Sequence, residues 1–599
     1  MSSRRQGKTM PRRHNIVFAV AALLLIPSLL AQNAVDKQKS AAPSVQKAPT
    51  SAKVQPAAQV QPSVKAQPSA QGKNGQAAQQ GQKPADIKPI VPSANRYEPG
   101  KVFLEYADRL YMDQSVSPDY QVLAGNVRFR KGGMLMYCDS AYFYDKTNSL
   151  DAFGNIRMVQ GDTLSASANL LYYDGNMEMA RFRRNVVLRN REVTLRTDSL
   201  NYDLRANLGY FDHRGTINDS RNTLTSVYGE YSPSTKEAEF RDNVVLTNND
   251  DGYKMYTNLL QYNTDTHIAH IVDQTTIVGD SATIYTTRGD YNTDHDSGWL
   301  YNRSLVKTRR GNTLTGDTLF YDRPGGEGEA FGEIIMTDSA KCVTLEGDYG
   351  YYNEAADSAY VIGRCRVMEY SKADTLFAHG DTIRAYTAPD SSRVIIAYPH
   401  VRFWRVDIQG LCDSMSFTER DSMLMMYRHP IIWNEGRQVN GNLIAVHFND
   451  STADWARLPE TGMMIEHVEA EFYDQLYGKE MFARFDGKKI STLDVNGNVQ
   501  AIMLPQENDS TYNKLVTAES SFLHIDFVSN NEIERLKMWP EVTGTVFPLF
   551  MVKKGDIYLP QFKWYDDVRP KDKDDIYPKP EVDALFAEPD PSQRRAVNR

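Results

Sequence analysis

From about Tyr97 onward, apolar and polar residues alternate with a period of two, in short runs broken by clusters of Asp, Asn, Gly and Thr. Val127 and Phe129 fall on one side of such a run, Arg128 and Arg130 on the other. Val186 and Leu188 oppose Val187 and Arg189, and Leu200 and Tyr202 oppose Asn201 and Asp203. This alternation predicts β-strands, each with one apolar face. Turn clusters such as Asp145-Lys146-Thr147-Asn148, Asp174-Gly175-Asn176 and Asp322-Arg323-Pro324-Gly325-Gly326 separate the runs. No long stretch has the 3.6-residue apolar period of a helix, and one short helix is expected at 533–538.

The strands come in a repeating unit. Tyr-Asp stands at Tyr144-Asp145, Tyr173-Asp174 and Tyr202-Asp203, with a spacing of 29 residues both times. A second landmark stands at Gly125-Asn126-Val127, Gly154-Asn155-Ile156, Asn185-Val186, Gly215-Thr216-Ile217 and Asn243-Val244, in steps of 29, 30, 31 and 27. A fixed period in this range means stacked supersecondary units sharing one extended core. Further units open at Gly316-Asp317-Thr318, Gly347-Asp348, Gly380-Asp381 and Asp413-Ser414, and beyond about residue 435 the period decays. The chain therefore divides into 97–435, the repeats, and 436–565, degenerate β repeats or a capping region.

Composition sets the ends apart. Arg4, Arg5, Lys8, Arg12 and Arg13 precede an apolar run at 16–30 and a small residue, Ala31. That is the layout of a cleavable secretory signal peptide at 1–31; the run is short for a membrane span of about 20 residues. Residues 32–96 are Ala-, Gln-, Pro-, Ser- and Lys-rich with almost no large apolar side chain, a composition that cannot offset its ordering entropy. They read as a disordered tether whose root-mean-square span is on the order of 40–50 Å. From about Asp566 to Arg599 the chain is charged and Pro-rich, and reads as a loose polar tail.

The candidate chemistry is thin. A formal net charge of −8 with dispersed basic residues excludes a nucleic-acid binder. GxSxG, HExxH, P-loop and dinucleotide signatures are all missing. His267 and His270, with Asp265, come nearest to a metal cluster, but a strand puts residues three apart on opposite faces. No metal site and no cofactor are expected. The many Asp residues recur at one structural position beside turns, where the side chain favours the turn itself. The chain reads as a non-enzyme. Of four cysteines, Cys342 and Cys365 are near enough in sequence to bridge neighbouring turns in an oxidising compartment; buried free thiols are the equal alternative.

The unit Gly-Asp-Ser/Thr-Leu-x-Tyr-Asp, a turn, then Gly-Asn-Val resembles the repeat of the OstA family, which includes LptA and the N-terminal domain of LptD. Asp139-Ser140, Asp198-Ser199-Leu200-Asn201-Tyr202-Asp203, Asp317-Thr318-Leu319 and the Gly-Asn-Val/Ile pairs carry the resemblance, over roughly residues 97–435. It implies an all-β, elongated β-jellyroll of stacked strands with an apolar groove that carries lipopolysaccharide acyl chains through the periplasm. It also implies partners with related jellyrolls, joined by edge-strand pairing, and a place in outer-membrane assembly. The chain differs in its length, its tether and the lack of a terminal barrel. The groove-lining candidates are Val127, Phe129, Ile156, Met158, Val186, Leu188, Leu200, Val244, Leu246, Leu319, Ile334 and Met336. Two rivals are a closed parallel β-helix acting as adhesin or polysaccharide binder, and a structural periplasmic spacer.

Overall fold

The computed structural model describes residues 100–586, apart from 114, 116–117, 251, 281, 310, 323, 341, 354, 371–373, 450–452, 488, 507–510 and 529–532. The proposed signal peptide, the tether and the last thirteen residues lie outside the described residues.

Each apolar–polar run becomes a strand, and each turn cluster a reversal. The reversals work through Asp as the spacing implies: the Asp174 carboxylate accepts the N–H groups of Asn176 and Met177, both at 3.0 Å. Asp203 does the same for Arg205 and Ala206 at 2.9 Å.

The Gly-Asn landmark is a kink. Gly154 and Asn155 both take left-handed backbone angles, φ 75° and 42°, in the middle of strand Ser149–Gln160. Two such residues in succession skip the register after Phe153 against both neighbours, up to Arg157 on one side and Ile156 on the other. The Asp of the Asp-Ser landmark, one strand earlier, holds the kink: Asn155 Nδ2 donates to Asp139 Oδ2 at 2.8 Å, and Asn126 Nδ2 to Asp108 Oδ2 at 3.0 Å. The Gly-Asn landmark and the Asp that precedes it in space are thus one device, repeated.

The kinks divide the strands into two ladders. Strands such as Gln121–Lys131, Met134–Tyr144 and Val193–Asp203 run through both. Most later strands are split at the kink, as Leu208–Phe211 and Gly215–Asn218 are, and both of these pair with Val193–Asp203. The first ladder passes through 121–124, 170–174 and Ile268–Ile271 and ends at Ile533–Trp539. The second passes through 127–131, 164–167 and Thr275–Val278 and ends at Thr543–Pro548. Twelve of the forty-four strands serve both ladders, so among the described residues each has twenty-eight rungs. At ~4.8 Å per rung the stack is about 130 Å long.

Pairing is antiparallel throughout these ladders, which overturns the parallel β-helix reading. The alternation persists past residue 435, where the repeat is no longer legible, and strands continue to Pro548. The segment read as a short helix is strand Ile533–Trp539, drawn into register by its neighbour, with Leu523 opposite Met538 and Ile525 opposite Leu536.

The inward side chains of the two ladders pack into one apolar layer, which includes Val102 near one end and Ile525 near the other. A second, smaller layer lies outside. After Pro548 the chain turns back and runs as a strap over the outer face of the second ladder. Gln475, Gln438 and Gln409, all buried, receive it. Gln475 donates to Ile557 O and accepts from Leu559 N, both at 2.8 Å; Gln438 donates to Lys563 O at 2.9 Å and accepts from Tyr565 N at 2.8 Å. Gln409 accepts from the Arg569 guanidinium. Val568 and Val582 pack on Leu411, Ile431 and Trp433, and the buried Arg402 donates to Val568 O and faces Asp575. Up to Phe586, then, the segment read as a loose tail is docked, because its few apolar residues and its peptide groups find partners on that ladder.

Candidate functional site

The twelve candidate groove residues lie together. Val127, Phe129, Ile156, Met158, Val186, Leu188, Leu200, Val244, Leu246, Leu319, Ile334 and Met336 all point between the ladders, each at most 4% exposed. The interior is filled by these side chains. Leu200 and Leu319 come from the first ladder and the other ten from the second. Their facing partners on the first ladder, such as Leu123, Phe143, Leu150 and Phe182, were not singled out in sequence although the same alternation marks them. Arg128 and Arg130 point outward, as expected, and share Glu105.

On one side the interior is closed by the chain itself, at the kinks. On the opposite side the turns of the two ladders meet along a polar seam. Just inside it stands a row of aromatic residues from the first ladder, one per repeat: Phe143, Tyr173, Tyr202, Tyr231, Tyr262 and Tyr291. The hydroxyls of Tyr202, Tyr231, Tyr262 and Tyr291 reach polar side chains at the seam. Asn190 Nδ2 donates to Tyr231 OH at 2.9 Å, and Asn222 Nδ2 to Tyr262 OH at 3.0 Å and Thr293 Oγ1 at 2.8 Å. Lys131 Nζ donates to Gly175 O at 2.8 Å and pairs with Glu178 at 2.9 Å, and Arg221 pairs with Asp294 at 2.7 Å. Burial pushes the Tyr173, Tyr202 and Tyr262 hydroxyls well above the ordinary phenol range, so they stay neutral. Of this row, Tyr173 and Tyr202 are legible in the sequence as the Tyr-Asp landmark; the asparagines that join the row across the seam are not, because they belong to the other ladder.

Among the described residues, the interior is uncovered at its two ends. At the first, Leu104 and Leu110 continue the inner face, opposite the buried Phe129 and Leu123, and Leu110 is 52% exposed. At the second, Leu536 and Val546 do so and are exposed. Tyr106, Tyr111 and Met112 at one end and Val542, Phe547, Phe550 and Met551 at the other are exposed as well. Among the described residues, the outermost strands, Phe103–Tyr106 and Arg109–Tyr111 at one end and Ile533–Trp539 and Thr543–Pro548 at the other, each pair with one ladder neighbour.

The other candidates do not form sites. His267 sits in a turn beside Tyr262 and Asp219, and His270 pairs with Asp290 at 2.7 Å, one rung away. Among the described residues no group of three or more His, Cys, Asp or Glu side chains is placed to hold a metal ion. All four cysteines are free thiols. Cys342 bonds across the turn to Tyr370, whereas Cys365 precedes Arg366, which pairs with Glu346. Five residues of strand, roughly 16 Å, separate the two positions, too far for a disulfide. Among the described residues no helix is long and apolar enough to cross a membrane.

The architecture is that of an all-β repeat protein: an antiparallel jellyroll of two kinked ladders around a continuous apolar interior. Residues 99–257 match the family described as OstA-like protein, so the segment that carries the clearest repeats is OstA-like. Among solved structures, LptH of Pseudomonas aeruginosa, the LptA-homologous periplasmic component of a lipopolysaccharide transport device, is 11% identical. That match covers 23% of this chain and 76% of the other, with a TM-score of 0.12. No curated protein matches the chain.

Proposed function

We propose that the protein is an exported, non-enzymatic carrier that shields lipopolysaccharide acyl chains between its two ladders during outer-membrane assembly. One observation carries this reading: among the described residues, the apolar interior is unbroken along the ladders and uncovered at both ends. Removing a saturated chain of about 12–14 carbons from water is worth on the order of 10 kcal/mol, at ~0.8 kcal/mol per methylene. A carrier must supply an equivalent surface at every step of its length, and stacked apolar faces do so. The OstA-like match at 99–257 supports the same class of work. The basic, apolar leader at 1–31 supports export to the periplasm.

Because the interior is filled, cargo enters by displacing side chains and parting the polar seam, whose bonds are few per repeat. The outermost strands at the two ends suit pairing with a partner of the same fold. Photo-crosslinkers at Val186 and Leu188 should then form lipopolysaccharide adducts that crosslinkers at the outward Arg128 and Arg130 do not. Equal adducts from both sets would refute the interior assignment. The close packing of the interior favours a second reading, a structural spacer, under which neither set gives adducts.

A further inference from the structure

The outer face of the first ladder carries a feature that the carrier reading does not use. Near its far end, six neighbouring strands from Leu443–Phe448 to Ile533–Trp539 bring outward aromatic rings to both sides of a polar floor. On one side His447 stacks on Trp455, with centroids 5.4 Å apart and planes 11° from parallel, and Trp455 meets Phe482 at 5.6 Å. On the other side Phe522 stacks on Trp539 at 5.7 Å. Between them lies a hollow of about 450 Å³ lined by Trp455, Arg457, Glu480, Phe482, Asp494, Asn496 and Trp539. Phe482 and Phe522 stand two strands across and two residues along from one another, about 12 Å at strand spacings. The hollow is within the size range of small-molecule sites, ~300–1,000 Å³.

The floor decides the chemistry. Arg457 is neutralised by Glu480 at 2.6 Å, and Asp494 by His524 at 2.6 Å and Arg484 at 3.5 Å. Each charged residue that lines the hollow is thus ion-paired, and the nearest further cation, Lys537, lies over the Trp539 ring at 5.0 Å. The Asn496 amide lines the hollow without a hydrogen-bond partner among the described residues, and it offers both a donor and an acceptor. Flat rings standing apart, with a charge-compensated donor and acceptor floor between them, suit a ligand with apolar C–H faces and a rim of hydroxyls. An apolar peptide helix needs a continuous groove instead, and a nucleic acid needs surplus positive charge.

We propose that this face binds a neutral saccharide, with Trp455 and Trp539 as stacking platforms and Asn496 and the paired charges as its hydroxyl partners. The saccharide is either the sugar portion of a glycolipid or a free polysaccharide. The site lies outside the ladders, so it stands or falls apart from the carrier reading.

The test uses the full chain, with tryptophan fluorescence and calorimetry as readouts. One probe is dephosphorylated core oligosaccharide released from lipopolysaccharide; the other is maltoheptaose, a neutral glucan. Saturable binding is expected, weakened about tenfold by Trp539→Ala or Trp455→Ala, the scale of one lost aromatic contact. Asn496→Ala should also weaken it. Trp299→Ala, which removes another outward ring of the same ladder from its tilted contact with Phe320, should leave it unchanged. Trp539 is on the outermost strand and partly exposed, so its variant should keep the parent's unfolding midpoint. Binding of the oligosaccharide alone assigns a glycolipid headgroup, and binding of the glucan, a polysaccharide. No saturable binding of either probe, equal affinity in the Trp539 and Asn496 variants, or binding that appears only when the oligosaccharide keeps its phosphates would overturn the proposal.

Discussion

Gln438 is the middle fastening of the C-terminal strap, and removing its amide should free that strap without unfolding the ladders. The side chain is fully buried and makes four hydrogen bonds. It accepts from Trp433 Nε1 at 3.2 Å and Tyr565 N at 2.8 Å, and donates to Asn440 Oδ1 and Lys563 O, both at 2.9 Å. Gln438→Ala takes both partners from the strap backbone and leaves the Trp433 indole N–H without its acceptor. An unmade buried hydrogen bond costs about 1–3 kcal/mol. Two on the strap side therefore weaken its docking by about 2–6 kcal/mol, or roughly 30- to 20,000-fold in its opening equilibrium. Hydrogen exchange followed by mass spectrometry reads this directly, since local opening sets the exchange rate of docked amides. Peptides covering 556–577 should exchange faster by that factor, while those covering 121–203 keep their protection. Unchanged exchange in the strap would show that the glutamines do not hold it. Equal acceleration in both regions would show that the strap is part of the core's own cooperative unit.

Gly154→Ala forces a left-handed backbone angle on a residue with a Cβ, and that Cβ runs into the Asp139 carboxylate. The variant should lose about 1–3 kcal/mol in denaturant unfolding, and a neutral result would refute the kink's role. Burial raises the Asp474 carboxyl to about 6, although Leu504 N donates to it. The folded state thus binds this proton more tightly than the unfolded state does. The resulting stabilisation is present in full below the unfolded value near 3.8 and is lost as pH rises through about 6. Asp474→Asn should therefore raise the unfolding midpoint above pH 6, and the gain should fade toward pH 4; a gain independent of pH would contradict the assignment. Burial also pushes the Cys138 and Cys365 thiols up to about 12 and raises that of Cys412 further. Under native conditions alkylation should reach only the half-buried Cys342, and four adducts should form after unfolding without reductant. Two adducts instead would restore the disulfide.

The alternation and the two landmarks carry most of the fold because each rung repeats the same local decision: apolar in, polar out, Asp at the turn, Gly-Asn at the kink. Val186 and Leu188 could be assigned a face from four residues of sequence. The strand at Ile533–Trp539 could not be recognised, since both faces of an outermost strand are exposed and its alternation is diluted. Nor could the strap, which has no period: its order comes from Gln409, Gln438 and Gln475, placed by strands far away in sequence. The seam and the saccharide platform have the same origin. Asn222 with Thr293, and Trp455 with Trp539, are brought together by the ladders and by nothing local. The cysteine pair shows the converse, because nearness in sequence along antiparallel strands is not nearness in space.

The central claim is that the interior accepts acyl chains, and the most direct test is to count them. The full chain, purified from a lipopolysaccharide-producing host, would be extracted and its bound lipid identified by mass spectrometry. Val186→Asp and Leu188→Asp would be carried alongside, with their fold checked by circular dichroism. The account predicts lipid A species near one per chain or more in the parent, lost in folded variants. A folded parent that carries no lipid and takes up no added lipopolysaccharide would contradict it and leave the packed interior as the core of a spacer.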